Sequence, residues 1–178
     1  KKKPAFIRKE YNSFIDEIEL QKKFGPIYQN KKRYNAINEA INNNANIVIL
    51  DDGFQDFSIN KNLSIVCFNE KQWTGNGLTI PAGPLRESLS SLKRANCVVI
   101  NGSKNIDIEK KILRYNEKIK IFYSKHRPLN INDYNNKNIT AFAGIGNTEN
   151  FFNLLKNNNL NIIEKIKFPD HYNYSKNE

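Results

Sequence analysis

The chain has 178 residues, 39% of them hydrophobic, and a formal net charge of +10; that length suits one core, or one core plus the beginning of a second, with one complete domain the default expectation. A mean hydropathy of −0.67 and the lack of any apolar run near the roughly 20 residues a bilayer demands exclude a spanning helix within these residues. Two cysteines, Cys67 and Cys97, make no disulfide framework and fit a reducing compartment.

The chain opens Lys1-Lys2-Lys3-Pro4, contains no methionine and shows no signal-peptide pattern, so Lys1 is not expected to be the translation start. Tyr34, Ile37 and Ile41 fall three and four residues apart and predict a helix. The runs Ile47 to Leu50 and Leu63 to Val66 predict strands, as do Cys97 to Ile100 and Ile119 to Phe122. Their continuous apolarity predicts burial on both faces. Between residues 69 and 94, Gly75, Gly77, Pro81, Gly83 and Pro84 punctuate the backbone too densely for a long regular element. Ile108, Ile112 and Tyr115 repeat the helical stripe. After the polar stretch from Arg127 to Lys137, Ile139 to Ala143 reads as a strand and Glu149 to Lys156 as a helix.

Apolar runs alternating with helical stripes are the pattern of an α/β protein with a mostly parallel sheet flanked by helices. The expected organisation is a core over residues 1–127, a linker over 128–137 and a further α/β segment over 138–178.

The sharpest chemical feature is the apolar run Ile47 to Leu50, which delivers Asp51, Asp52 and Gly53 at its carboxyl end, where open α/β sheets bind ligands. Mg²⁺ takes oxygen ligands, often one or two carboxylates with phosphate and water, and a rigid strand end fixes such groups. The plain alternative is a turn after a buried strand. Downstream, Pro81-Ala82-Gly83-Pro84 precedes Arg86 and Glu87. Arg86 could bind phosphate oxygens and Glu87 could complete a magnesium site, or the two could be an ordinary surface pair. His171, one of two histidines, sits in Phe168-Pro169-Asp170-His171-Tyr172. It could relay a proton or be a satisfied structural histidine.

Taken together, DDGFQ at 51–55, GNG and PAGPLRE at 75–87, AFAGIGN at 141–147 and FPDH at 168–171 form an ordered set that resembles the tetraacyldisaccharide 4'-kinases. The resemblance runs from about residue 4 to the end. It implies a P-loop NTPase-like kinase core followed by a smaller C-terminal domain, with the family's glycine-rich P-loop lying outside these residues, so that the 178 residues alone are expected to bind ATP poorly. It implies transfer of a phosphoryl group from ATP, with Mg²⁺, to the 4'-hydroxyl of tetraacyldisaccharide 1-phosphate, giving lipid IVA in lipid A biosynthesis at the cytoplasmic face of the bacterial inner membrane. Peripheral contact with membrane lipids is implied as well; neither nucleic acid nor a protein partner is expected.

Carried over by motif, the resemblance makes Asp51, Asp52 and Glu87 the metal ligands, with Asp52 also catalytic. Arg86, Glu87, Gln55 and Arg33 fall to the nucleotide and phosphate region. Arg33 could equally be a solvated residue at the start of a helix. Asp16 would accept the hydroxyl proton and His171 would assist it. Three departures stand out: Ile15 replaces the family's glycine in Gly-Asp-Glu, Arg8-Lys9-Glu10-Tyr11 replaces Ser-Arg-Gly-Tyr, and Asp56 stands where histidine is common. Two other readings compete with this one. One is a basic nucleic-acid-binding domain, suggested by the charge and eight tyrosines but lacking a motif or clustered basic residues. The other is a P-loop-less scaffold, which the intact acidic and arginine motifs disfavour.

Overall fold

A computed structural model describes residues 2–10, 15–170, 172, 174 and 175, with residues 15 and 16 described as backbone only. Two compact units divide the chain, Lys1–His126 and Arg127–Glu178.

The first unit opens on a three-stranded parallel sheet of β1 (Pro4–Lys9), β2 (Ile27–Asn30) and β3 (Ile47–Leu50), in the order β2-β1-β3. Helix α1 (Ile15–Lys22) lies between β1 and β2 in the chain, and α2 (Arg33–Asn42) between β2 and β3. Ala5 and Ile7 of β1 and Ala36 and Ala40 of α2 form a fully buried cluster. Two alanines four residues apart put a flat face on α2 that can approach the sheet closely. The register places Ile7 beside Leu50. The carboxyl ends of β1 and β3 therefore leave the sheet side by side, and with them Arg8 and Asp51.

A second parallel sheet holds β4 (Ile65–Asn69), β5 (Cys97–Asn101) and β6 (Lys120–Ser124) in that order. Helix α3 (Ile106–Leu113) is capped by Asn105, whose Oδ1 accepts hydrogen bonds from the backbone of Asp107 and Ile108. Leu92, Val98, Ile100 and Ile112 are the most deeply buried side chains of the core cluster that this sheet shares with α3, each worth about 1.5–3 kcal/mol of burial.

The second unit is a β-α-β arrangement of β7 (Asn138–Ala143), α4 (Thr148–Asn157) and β8 (Asn161–Lys167), with the two strands parallel. Phe152 of α4 is fully buried with Ala141 and Ala143. The polar stretch 128–137 carries a short 3-10 turn at Ile131–Tyr134.

Every strand pairing among the described residues is parallel, as the apolar runs predict; the first unit divides its strands between two three-stranded sheets where the pattern reads as one core sheet, and the second unit has a two-stranded sheet of its own. The burial expected on both faces is approached only in β5, where Val98 and Ile100 cover one face fully and, on the other, Cys97 is buried and Val99 half-buried. It fails for β3 and β4, where Ile49 and Ile65 are 44% and 50% exposed. Each of those strands has one paired neighbour among the described residues. Strand β4 also begins two residues later than the run Leu63 to Val66 suggests, and exposed Cys67 contrasts with buried Cys97.

Candidate functional site

The site grows from the carboxyl end of β3. Asp51 continues the β1 pairing for one residue, its amide donating to the Ile7 carbonyl at 3.1 Å. Its Oδ2 meets Arg8 Nε at 3.2 Å and accepts a hydrogen bond from Gln21 Nε2 of α1 at 3.1 Å. Arg8 is buried, and its Nη2 pairs with Glu17 of α1 at 2.5 Å. Its Nη1 and Arg33 Nε are buried without a hydrogen-bond partner among the described residues. Buried donors in that condition are costly and mark sites built for more than packing.

Arg33, the first residue of α2, holds the next turn of chain. Its Nη2 donates to the carbonyls of Asp51 and Asp52 at 3.1 and 3.0 Å, and its Nη1 to Asp56 Oδ2 at 3.3 Å. These bonds support a strained backbone, because Asp52 sits at φ +51°, in the left-handed region that side chains disfavour. Gly53 follows because a Cβ there would stand 2.5 Å from the Cβ of Leu50. Asp56 titrates below the ordinary carboxylate range. The Ser58 hydroxyl is the main cause, and the Ser58 amide and Arg33 add to it against the cost of burial.

The partner loop closes on itself. Asn76 Nδ2 donates to the Ala82 carbonyl at 2.8 Å, and the Leu85 carbonyl accepts from Ile80 at 2.8 Å. A Cβ on Gly83 would lie 2.3 Å from the Leu78 carbonyl oxygen, so the Gly-Asn-Gly and Pro-Ala-Gly-Pro motifs interlock only with glycine at 83. The loop delivers Arg86, whose Nη1 pairs with Asp52 Oδ1. Glu87 turns toward Arg94, whose Nη2 reaches both its oxygens at 2.5 and 2.6 Å. The Arg94 guanidinium also lies over Phe54 and Phe57, 4.3 and 4.7 Å from the ring centres. Arg94 above all, and then Gln55, hold the Glu87 carboxyl below its ordinary range against the cost of burial.

Arg8, Lys9, Glu17, Arg33, Asp51, Asp52 and Arg86 line a pocket of about 260 Å³. Four cations against three carboxylates suit an anionic group that brings a cation with it. Arg86 also lines a neighbouring pocket of about 600 Å³ that includes Gln55 and Glu87. Of the residues the sequence singled out, Asp51, Asp52, Arg33 and Arg86 therefore surround one cavity, and Gln55 and Glu87 face the next. Asp16 is described only as backbone in the first turn of α1, and His171 lies outside the described residues. Arg33 is not the solvated helix residue that one reading allowed, since it clamps the loop. Arg8, Glu17 and Arg94 carry no assigned role in the sequence, where Arg8 and Glu17 stand only as members of the short motifs at 8–11 and 15–17.

Among the described residues no three metal-capable side chains cluster. Asp51 and Asp52 nonetheless supply the one or two hard oxygen donors that Mg²⁺ takes from protein.

A model of the family described as tetraacyldisaccharide-1-P 4'-kinase matches residues 16–178. The chain is 45% identical over 177 residues to a tetraacyldisaccharide 4'-kinase of Pelagibacter ubique, covering 98% of this chain and 56% of that protein. It is 33% identical to the protein of that name from Parvibaculum lavamentivorans, over 92% of this chain and 48% of that one. For the Rickettsia canadensis protein of that name the figures are 36%, 89% and 48%. The chain thus spans about half the length of the curated relatives it matches. No solved structure matches it.

Proposed function

The chain belongs to the tetraacyldisaccharide-1-P 4'-kinase family, and from that premise we propose that it supplies the acidic and arginine-bearing part of a site moving the γ-phosphoryl group of ATP to the 4'-hydroxyl of tetraacyldisaccharide 1-phosphate. The observation that carries this reading is the convergence of Arg8, Arg33 and Arg86 on the paired acids at the end of β3. Phosphoryl transfer asks a protein mainly for positioning and charge compensation, and a rigid strand end flanked by guanidinium groups offers both.

In this reading Asp51 and Asp52 would hold Mg²⁺, which would supply charge compensation on the phosphates, whereas Glu87, paired through both oxygens with Arg94 in the neighbouring pocket, is kept for the phosphate region and not for the metal. Arg86 exchanges its exposed contact with Asp52 for a phosphate oxygen, a trade that costs little because both partners are more than half exposed. Gln55, beside Glu87, serves the same phosphate region, and Arg33 serves it through the loop it holds. Asp16 accepts the proton of the attacking hydroxyl, with His171 assisting. A substrate carrying four acyl chains supports a peripheral place at the cytoplasmic face of the inner membrane. Among the described residues no helix is long and apolar enough to cross a membrane.

Two substitutions in the full-length enzyme test the assignment. Asp16→Ala is expected to lower kcat by about 10²–10⁴-fold, the usual worth of a general base, with little change in KM for ATP. Asp52→Asn is expected to raise the Mg²⁺ concentration giving half-maximal rate. Unchanged turnover in the first removes Asp16 as the base, and an unmoved Mg²⁺ dependence in the second removes Asp52 from the metal.

A further inference from the structure

Among the described residues, three buried side-chain polar atoms lack a hydrogen-bond partner: Arg8 Nη1, Gln21 Oε1 and Arg33 Nε. The three residues that carry them share one target. Arg8 Nε and Gln21 Nε2 both meet Oδ2 of Asp51, at 3.2 and 3.1 Å, and Arg33 Nη2 donates to the Asp51 carbonyl at 3.1 Å. A buried donor or acceptor left unpaired costs stability. Packing alone gives no reason to gather that cost around a single residue.

Gln21 makes the point most sharply. Its amide has a donor end and an acceptor end. Turned one way it serves Asp51 and strands Oε1; turned the other way it would set Oε1 against a carboxylate. An apolar side chain of the same length would avoid both costs. Glu17 and Gln21 stand four residues apart on α1 and therefore share one face of it. From that face Glu17 takes Arg8 Nη2 at 2.5 Å, while Gln21 reaches Asp51 directly. Asp51 is thus gripped from a neighbouring strand and from a helix, both times through Oδ2. Its Oδ1 makes no hydrogen bond or ion pair among the described residues.

We propose that Gln21 and Arg8 are positioning residues for Asp51: together they hold Oδ2, so that the carboxylate keeps one orientation and meets a metal through Oδ1 alone. The inference rests on the reading that Asp51 holds Mg²⁺. Groups that orient a metal ligand from behind commonly contribute about 10–100-fold in metal affinity. Orienting Asp51 in advance removes reorganisation from the binding step, and the stranded polar atoms are the stability given up for it.

The experiment reads metal affinity and stability on the same full-length enzyme. Mn²⁺ alone is the probe, its free concentration followed by electron paramagnetic resonance, and denaturant midpoints report stability. Gln21→Met keeps the length of the side chain and removes both polar ends. It is expected to weaken Mn²⁺ binding about 10-fold while leaving the midpoint unchanged or raising it, because a stranded acceptor goes with the amide. A lowered midpoint with parent Mn²⁺ affinity, the pattern of a merely structural residue, overturns the proposal. Should Gln21→Met not fold, Arg8→Lys carries the same test: it keeps the charge without the fork that spans Glu17 and Asp51, and parent Mn²⁺ affinity in it overturns the proposal. Asp51→Asn separates this inference from the reading beneath it. Weakened binding in Asp51→Asn with parent affinity in Gln21→Met overturns the positioning role alone, whereas parent affinity in Asp51→Asn overturns the metal role of Asp51 and the proposal with it.

Discussion

The loop after β3 and the loop carrying Arg86 meet at one ion pair but are held by different means. The first is gripped from below by Arg8 and Arg33, whose side chains are only 9% and 10% exposed and whose partners include two backbone carbonyls. The second closes on itself through the Gly-Asn-Gly and Pro-Ala-Gly-Pro interlock. Arg94 then ties Glu87 to the aromatic residues that follow the paired aspartates. At the seam, Arg86 and Asp52 pair in solvent. The difference teaches where rigidity and exchange have been placed. Buried guanidinium groups fix the acids, whereas the exposed pair can open to admit a phosphate at little cost.

The comparison can be broken most directly at Arg33. Arg33→Met takes the guanidinium donors from two carbonyls and from an Asp56 carboxylate that keeps Ser58, and should cost about 2–3 kcal/mol of stability by denaturant titration. A loss under about 1 kcal/mol would show that the loop after β3 does not depend on its buried clamp. Arg94→Met removes a two-oxygen contact and the cover over Phe54 and Phe57, all partly exposed, and should cost about 1–2 kcal/mol. Arg86→Ala sits at the other extreme. It should change stability by less than about 1 kcal/mol while sharply lowering turnover in the full-length enzyme, and a large stability loss would mean that the seam is structural.

The smallest effect is a pH dependence. Glu87 titrates below 4.5 in the folded chain because Arg94 and Gln55 favour its ionised form. Its contribution to stability is therefore full above the unfolded value and disappears as pH falls through the folded one. The stability gap between the parent chain and Arg94→Met should narrow on acidification below about pH 4.5. A gap that stays constant down to pH 3 would show that the Arg94 contact acts by packing alone.

Ile47 to Leu50 followed by two aspartates was legible as a strand delivering acids, because β-branched continuity and a terminal Asp-Asp-Gly are local signals. The helices at 33–42, 106–113 and 148–157 were legible from spacing, within a few residues at their ends. Arg8 was not. It is one cation among many scattered ones, and only the parallel register that sets Ile7 beside Leu50 brings it to Asp51. Arg94 was hidden for a similar reason, since its partners lie 7, 37 and 40 residues away in irregular chain.

By itself, then, the sequence determined the parallel α/β class, the acidic strand end, the stiff Pro/Gly loop and, through its ordered motifs, the family. Periodicity, backbone punctuation and short motifs are properties of neighbouring residues and survive without coordinates. The tertiary structure decided which apolar strand faces are covered, which arginines are buried clamps and which form the exposed seam. It also decided that a Cβ at Gly144 would meet the Pro169 carbonyl oxygen at 3.0 Å. Those outcomes depend on strand register and on which distant segments share a volume, and neither is encoded at any single position.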